Sequence, residues 1–457
     1  MRVSSTQMIG RYQKQLNDSY EDQTKMMEQS DGSKLHRPSD DSVNYSKYLR
    51  YQNSSTENEQ YQSNVKTGIS WMKTADAAMV NMTDILTTLK EKTIQAANDT
   101  NQTVDVQAIG KEFLNKVYEL VSLGNTQQGD RYMFSGQSDL TQPFTVSAAK
   151  KERGLTKTLD DPQSDYFKDS NGNSLGADAD GIAVQMLTLR GDDGNTYYLN
   201  TRSGNVYTEE FVKQGYKDKV AGGQQHVLAG DEAGTLAGWT PTSGTVAQYF
   251  KASGELEGTN YTKAMNDAYG LGNIQVGGTT VNLKFATVDQ YIVEYSGDAK
   301  HISMTKRNGT VDPTADTVNA TGQDLFGSDI FDNVNSGNQP KGVSSGTAAL
   351  NDLLTIVAKL EAGDTQWLSS DGITLADVAH SSVLDAQTTT AARQNVYDSV
   401  STMLDKQNET ITEDISNASD ADVAKLAVML MTMQTIYNMS LSVGSRILPQ
   451  SLTDYLG

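Results

Sequence analysis

The chain has no cysteine among its 457 residues, which excludes disulfide frameworks and thiolate metal sites. It has only four histidines, which are scattered and form no pair at the i, i+4 spacing of a helical zinc site. It also lacks a Gly-x-Ser-x-Gly elbow and a glycine-rich phosphate loop with its lysine. These absences argue against an enzyme. The sequence nominates no catalytic residue, no metal ligand and no cofactor.

The chain also lacks an excess of positive charge, since 57 acidic residues stand against 37 basic ones, a formal net charge of −20. Without a basic segment there is no electrostatic support for binding nucleic acid or an anionic membrane. No stretch approaches the ~20 apolar residues of a membrane-spanning helix. The opening MRVSSTQMIG carries no apolar run of signal-peptide length. We therefore expect any export to use a route other than general secretion.

The two ends of the chain share a pattern that the middle does not have. Both ends are poor in glycine and carry apolar residues at helical spacing, whereas the middle is rich in Gly, Thr, Asn and Asp. The predicted fold is therefore α+β and multidomain: long N- and C-terminal helices pair into a coiled-coil-like helical rod, with a β-rich insert between them. The predicted parts are a terminal assembly segment (1–38), the first part of the rod (39–137), one or two outer β-rich domains (138–345), the second part of the rod (346–418) and a second terminal assembly segment (419–457).

The strongest helix signal runs from about Ser39 to about Asn98. Two rows of mostly apolar or small residues recur every seven positions, as in a coiled-coil seam. Pro38 and Ser39 mark its start, with Ser39 as the expected N-cap. Another helix is expected over 104–124. The two rows are Val65, Met72, Met79 and Leu86, and Gly68, Ala75, Met82, Leu89 and Ala96.

The C-terminal third predicts three helices, over 348–360, 385–416 and 420–446. Val396, Val400, Met403, Leu404 and Ile411 are expected on one side of the second, and Ser419 and Asp420 are candidate caps of the third. The third is the most apolar, with methionines all round it, so one partner helix cannot cover it. We expect an assembly interface built from Leu16 and Met26 near the N-terminus with Val423, Leu426, Leu430, Met433, Tyr437 and Leu441.

The middle predicts β-hairpins. Gly277-Gly278 lies between two alternating runs, the segment around Gly297-Asp298 repeats the pattern, and two more turns are expected within 186–207. Asp169, Asn171, Asn173 and Asp180 match four ligand positions of an EF-hand loop, but Ser174 stands where glycine is required, so a polar loop is the better interpretation. Arg190-Gly191-Asp192 lies in a predicted turn, where Gly and Asp are expected in any case.

Three motifs together resemble the bacterial flagellin family. They are the stretch Arg37, Pro38, Ser39, Asp40 and Asp41 after the first helix; RYMFSGQ, containing Phe134, Ser135 and Gly136; and the C-terminal Pro449, Ser451, Leu452, Asp454, Tyr455 and Leu456. The last resembles the ending of the family members that join hook to filament, with Gln450 as an extra residue. The resemblance covers roughly 250 residues at the two ends and leaves the middle unmatched.

The resemblance implies a structural subunit of the bacterial flagellum. It implies paired terminal helices, export by the flagellar type III apparatus with a chaperone on the C-terminal helix, and a homo-oligomeric ring in a helical lattice between hook-associated protein 1 and flagellin. No nucleic-acid or membrane partner is expected. Two alternatives stay open: a flagellin, or a flagellar surface protein whose insert binds a host molecule or glycan. Exposed Trp239, Tyr197 and Tyr198 would favour the surface protein.

Overall fold

The structure is a computed structural model. It describes residues 5–98, 102–158, 167–168, 185–199, 205–210, 212, 226–227, 232–235, 271–298, 300–302, 317–327 and 346–447. The helices within these ranges are α1 Ser5–Glu28, α2 Ser42–Ala96, α3 Thr103–Gly124, α4 Gly322–Phe326, α5 Ala348–Ala362, α6 Thr365–Trp367, α7 Ile373–Ser419 and α8 Val423–Ile447. A 3-10 turn, Gln29–Asp31, follows α1, and a π-helical turn, Leu368–Gly372, precedes α7.

The described strands fall between α3 and α5. They are β1 Gln127–Gln128, β2 Arg131–Tyr132, β3 Phe144–Val146, β4 Lys151–Gly154, β5 Thr156–Thr158, β6 Phe167–Lys168, β7 Gln185–Gly191, β8 Thr196–Leu199, β9 Asn205–Thr208, β10 His226–Val227, β11 Glu232–Thr235, β12 Gly272–Val276, β13 Thr279–Phe285, β14 Thr287–Gln290 and β15 Val293–Tyr295. Long helices at both ends with a β-rich insert between them confirm the predicted α+β class.

The seam of α2 is buried as predicted, and it extends further than its apolar residues suggest. Every residue of the two predicted rows is buried. The first row continues at the same seven-residue spacing to Asn58 at one end and Thr93 at the other, which are 2% and 0% exposed. Because the period is unbroken, α2 keeps one face towards its partners along this stretch.

The buried row of α7 differs from the predicted one. Leu404 and Ile411 are buried as expected, but Val396 and Met403 are 48% and 58% exposed, so placing them on the buried side was wrong. The true row recurs every seven residues and includes small and polar members, which a search for large apolar residues passes over. Its members are Ala376, Val383, Thr390, Tyr397, Leu404, Ile411 and Ala418.

The chain divides into two compact units, 1–67 with 397–457 and 68–396. In the first, Asn58 Nδ2 donates to the carbonyl oxygen of Leu404 at 3.0 Å, where α2 meets α7. In the second, Gln387 Nε2 donates to Asp76 Oδ1 at 3.4 Å between the same two helices. Lys90 of α2 also forms an ion pair with Asp377 of α7, so within this unit higher residue numbers of α2 meet lower numbers of α7 and the two helices pair antiparallel.

One sheet forms the β-rich part of the second unit, with strand order β11-β9-β8-β7-β13-β12, and β5 also pairs with β7. The pairs are antiparallel, and β11 and β12 at the two ends also contact each other. The hairpin predicted at Gly277-Gly278 is confirmed: Val276 pairs with Thr279, and both glycines have positive φ, as a two-residue hairpin turn requires. The hairpin between β7 and β8 is confirmed as well.

A second group of short strands belongs to the helical core. β3 pairs with β15 and β4 pairs with β14, and these strands pack on α3 and α5. Phe144, Val293 and Phe326 are buried in one cluster with α2, α3, α5 and α7. The sheet has its own cluster around Leu189, Val206 and Phe285. The second unit therefore contains two apolar cores.

Candidate assembly interface

Helices α1 and α8 pack against each other, and six of the eight residues predicted for assembly are buried or half-buried. On α1, Leu16 and Met26 are half-buried, and the hydroxyl of Tyr12 donates to the carbonyl oxygen of Ser440 at 2.9 Å. One side of α8 is covered where it packs on α1: Leu426 is 7% exposed, and three further residues on that side are half-buried. Its residues are Leu426, Leu430, Met433 and Tyr437. Within one chain, α1 and α8 thus cover these four residues.

The other sides of α8 carry apolar residues that no described part of the chain covers. Val423 and Leu441, the remaining two predicted residues, are 59% and 44% exposed. Exposed apolar side chains in this number on one helix are typical of an interaction surface. We call this set the outer face of α8: Val423, Val428, Met429, Met431, Ile436, Met439 and Leu441.

The motif at Arg37–Asp41 builds the turn between α1 and α2. Asp40 Oδ2 accepts from the backbone amides of His36 and Arg37 at 3.0 and 2.8 Å, and the Arg37 guanidinium pairs with Glu28 at 2.8 Å. Asp41 Oδ1 accepts from the amides of Val43 and Asn44 at 3.1 and 3.0 Å. Asp41 is therefore the N-cap of α2. The prediction of Ser39 as the N-cap was wrong, because α2 begins at Ser42 and Ser39 lies two residues before the N-cap position.

Hydrogen bonding holds the carboxylates of this turn in their charged form. Two backbone amides, Arg37 first, lower the pKa of Asp40. The side chain of His36, 2.8 Å from Asp31, is the main cause of the lowered pKa of Asp31. The backbone amide of Asn44 is the main cause of the lowered pKa of Asp41. These bonds fix the turn around charged carboxylates.

The same turn binds the corner between α7 and α8. The amide of Lys34 donates to the carbonyl oxygen of Ser419 at 2.6 Å, and the amide of Ala421 donates to that of Gly32 at 2.8 Å. Asp422 Oδ1 accepts from the amide of Lys425 at 3.0 Å and caps α8. The prediction that Ser419 or Asp420 caps this helix was wrong, because Ser419 is the last residue of α7 and Asp422 takes the capping position.

The second motif lies inside the protein. The Phe134 side chain is fully buried, and its carbonyl oxygen accepts from the Gly322 amide at 2.9 Å and the Tyr295 hydroxyl at 2.7 Å. Burial raises the pKa of Tyr295. Gly136 has φ +73°, and a Cβ there would overlap Asp298. The motif therefore joins three separate chain segments through buried hydrogen bonds and close packing.

The contacts of this motif differ from one predicted hairpin. Gly297-Asp298 forms no hairpin turn among the described residues. The Asp298 amide instead donates to the carbonyl oxygen of Ser135 at 3.0 Å, and Asp298 Oδ1 accepts from the amide of Gln137 at 2.7 Å. The alternation before Gly297 reflects β15, which pairs with the distant strand β3. Most of the alternating run that follows Gly297 lies outside the described residues.

Several predicted features lie outside the described residues. These are the C-terminal motif residues Pro449, Ser451, Leu452, Asp454, Tyr455 and Leu456, the EF-hand-like Asp169, Asn171, Asn173 and Asp180, and Trp239. Within the described part of the chain, no group of three or more His, Asp or Glu side chains could hold a metal ion. No helix among the described residues is long and apolar enough to cross a membrane.

The Arg-Gly-Asp tripeptide takes part in the hairpin that contains it. Asp192 accepts from the amide and the side chain of Asn282 at 3.1 and 2.7 Å, and Arg190 donates to Thr196 at 3.2 Å. Tyr197 and Tyr198 are only 2% and 5% exposed, so the exposure that would favour a binding insert is absent at both. Burial, with a hydrogen bond to Asp193, raises the pKa of Tyr197 to about 12.

A polar cleft of about 680 Å³ lies between the sheet and the segment formed by α6 and the π-helical turn. Trp367 lines it with the Lys359 ammonium 5.4 Å from its ring centroid, and Lys359 also pairs with Asp364 at 2.9 Å. Lys157 and Asp371 form an ion pair beside it, with side chains 10% and 16% exposed. No sequence pattern indicates this cleft, because its residues come from strands and helices far apart in the chain.

Comparison with known proteins agrees with the helical termini. Residues 3–139 match the model of the bacterial flagellin N-terminal helical region. No curated protein sequence matches the chain.

Similar solved structures include two proteins named as hook-associated and a protein named FlgL. A Vibrio parahaemolyticus protein identified provisionally as flagellar hook-associated is 12% identical, with TM-score 0.43, covering 83% of this chain and 100% of its own. FlgL of Bacillus cereus is 12% identical, with TM-score 0.38, covering 80% and 99%. Flagellar hook-associated protein-3 of Legionella pneumophila is 13% identical, with TM-score 0.35, covering 85% and 99%. With TM-scores below 0.5, these likenesses carry no part of the assignment.

The family match and the paired terminal helices make the helical part of this chain similar to that of the bacterial flagellins. Of the three motifs that resemble this family, the first two, Arg37–Asp41 and Arg131–Gln137, lie within the matched residues 3–139.

Proposed function

We propose that the chain is the hook–filament junction subunit, the role of hook-associated protein 3. It assembles as a ring of identical subunits between hook-associated protein 1 and the flagellin filament. The observation that supports assembly is the outer face of α8, which stays exposed although α1 already covers the opposite side of the same helix. An exposed apolar helix at the end of a flagellin-like chain suits packing against neighbouring subunits.

Assembly is proposed to use both terminal helices. Leu16, Met26, Leu426, Leu430, Met433 and Tyr437 hold α1 to α8, and Val423 and Leu441 extend the outer face. The division into terminal segments, rod and outer β-rich part remains a prediction for the assembled protein. So does the role of the C-terminal motif, which lies outside the described residues.

Before assembly the outer face of α8 must be kept from aggregating. Seven apolar residues that are each more than 40% exposed on one helix invite self-association. A flagellar export chaperone bound to α8 would cover them until the chain passes through the type III apparatus. The same surface would then exchange the chaperone for flagellar neighbours.

Deletion of the gene followed by electron microscopy separates a junction subunit from a flagellin. Loss of a junction subunit should leave hooks without filaments while flagellin accumulates in the medium. Loss of a flagellin should leave neither filaments nor flagellin in the medium, and that result would replace the junction role by the filament role. Normal filaments after deletion would contradict both roles.

A further inference from the structure

The polar cleft beside Trp367 has the size of a ligand site but an unusual lining. Its volume of about 680 Å³ lies within the range of small-molecule sites, which are mostly lined by apolar side chains. Here the lining is predominantly hydroxyl and charged groups, including Thr188, Thr196 and Ser370. A ligand for such a cleft must form many hydrogen bonds, which excludes lipids and other apolar molecules.

The charges of the cleft nearly cancel. Four carboxylates and three cations line it, and Lys157, paired with Asp371, supplies a fourth cation. Lys359 is likewise matched by Asp364. A cleft with balanced charge concentrates neither anions nor cations, which favours a neutral ligand over phosphate compounds and free metal ions. The remaining polar class is a neutral polyhydroxylated molecule.

An aromatic ring completes the lining. The half-buried Trp367 is held in place because its amide donates to Asp364 at 3.1 Å, the Lys359 ammonium lies 5.4 Å from its ring centroid, and it packs against the helical core. It directly precedes the π-helical turn Leu368–Gly372, a distortion that is frequent at functional sites. An indole beside hydroxyls and carboxylates offers an apolar surface to the C–H groups of a sugar ring and hydrogen-bond partners to its hydroxyls.

We propose that this cleft binds a neutral saccharide, with Trp367 as the contact for the sugar ring. The ligand would be a short oligosaccharide, since the cleft holds a few sugar units at most. This binding site is independent of the outer face of α8, because all its lining residues lie in the unit 68–396. Failure of the junction role would therefore leave this proposal standing, and the reverse also holds.

Two neighbouring serines provide a matched pair of variants. Ser370 and Ser369 are both exposed in the π-helical turn, but only Ser370 lines the cleft. Ser370→Tyr places a ring in the mouth of the cleft, and Ser369→Tyr adds the same ring outside it. Because both positions are exposed, neither substitution disturbs a core. Trp367→Phe keeps an aromatic ring and removes the indole fluorescence.

The experiment titrates the full chain with maltotriose, cellotriose and N,N′,N″-triacetylchitotriose, using saturation-transfer NMR and tryptophan fluorescence, with inorganic triphosphate as the anionic probe. We expect at least one saccharide to bind with Kd about 1 mM or tighter. Ser370→Tyr should weaken it at least about tenfold, Ser369→Tyr should not, and the fluorescence change should vanish in Trp367→Phe. No saturable binding of any saccharide, equal effects of the two tyrosines, or binding of triphosphate alone would overturn the proposal.

Discussion

The amide of Ala421 donates a 2.8 Å hydrogen bond to the carbonyl oxygen of Gly32, residues almost four hundred positions apart in the chain. Gly32 ends the 3-10 turn after α1, and Ala421 lies between α7 and α8. An isolated bridge between Ser33 and Asp420 lies beside this bond. The bond joins the turn built by the Arg37–Asp41 motif to the C-terminal corner, so the two ends of the chain are fixed to each other by main-chain atoms.

Gly32 makes this contact possible through its backbone conformation. Its φ is +93°, and a Cβ there would meet nothing within 4 Å. Gly32→Ala should therefore lower the stability of this corner by about 1–2 kcal/mol from backbone strain alone. Hydrogen exchange of the α1 amides at increasing urea concentration measures this as a lower urea midpoint. Gly10→Ala is the control, since Gly10 is exposed within helix α1 with open space around it. That change should stabilise the helix by about 0.5–1 kcal/mol. Equal effects of the two alanines would contradict the strain argument.

Gly136 is limited by space as well as by conformation. Gly136→Ala would place a Cβ into the carboxylate and carbonyl of Asp298 at φ +73°. We expect a loss of at least about 3 kcal/mol in the free energy of unfolding, because the overlap adds to the strain. Gly129→Ala, at φ +68° with nothing within 4 Å, isolates the conformational cost of about 1–2 kcal/mol. Chemical unfolding of both variants measures the difference. Equal losses would mean that the chain around Phe134–Gly136 shifts easily to admit the added Cβ.

Asn58 fixes the register of two long helices. It is 2% exposed in a row of α2 whose members are apolar except for Thr93 at the far end, and its side-chain amide donates to the carbonyl oxygen of Leu404. A single polar residue in such a seam specifies alignment at some cost in stability. Asn58→Leu should thus leave the free energy of unfolding equal or higher by about 1 kcal/mol, while paramagnetic labels on α2 and α7 report more than one alignment. A single alignment in the variant would assign the register to other contacts.

The turn before α2 should loosen in acid. The folded-state pKa of Asp40 lies below the ordinary aspartate value of 3.8, because it accepts hydrogen bonds from the amides of Arg37 and His36. Its contribution to the stability of the turn is therefore present above about pH 4 and is lost as the pH falls through the lowered pKa. The amides of His36 and Arg37 should lose their NMR protection below about pH 4. Asp40→Asn should remove this transition at those two amides. Protection unchanged down to pH 2 in the native chain would show that Asp40 does not hold the turn.

Regular patterns were the predictable part of this fold. The α2 rows and the double glycine at Gly277-Gly278 each have a period or turn chemistry that one backbone conformation satisfies. The true row of α7 was missed in part, because Thr390 and Ala418 carry no apolar signal although both are buried. Alternation around Gly297 was read as a hairpin, but alternation identifies a strand and not its partner.

The candidate interface was predictable to a similar degree. Apolar spacing selected α8, yet it could not distinguish residues that face α1 from those that face outwards. Leu430 and Met433 lie on the α1 side, whereas Val423 and Leu441 are exposed. That distinction depends on where α1 lies, which is a tertiary property. The cleft beside Trp367 was unpredictable for the same reason.

The central claim is that the outer face of α8 is an assembly surface, and a double variant tests it most directly. Met431 and Met439 are 69% and 63% exposed, so Met431→Asp with Met439→Asp should leave the isolated chain as stable as before, by circular dichroism and urea unfolding. Assembly would bury two charges without partners, at a cost of several kcal/mol. The matched control is Met403→Asp, 58% exposed on α7.

The decisive measurement is the fraction of hooks that carry filaments, counted by electron microscopy in strains whose only copy of the gene encodes each variant. The account predicts bare hooks and free flagellin for the double variant, and normal filaments for Met403→Asp. Normal filaments in the double variant, with the protein present at native levels, would contradict the claim.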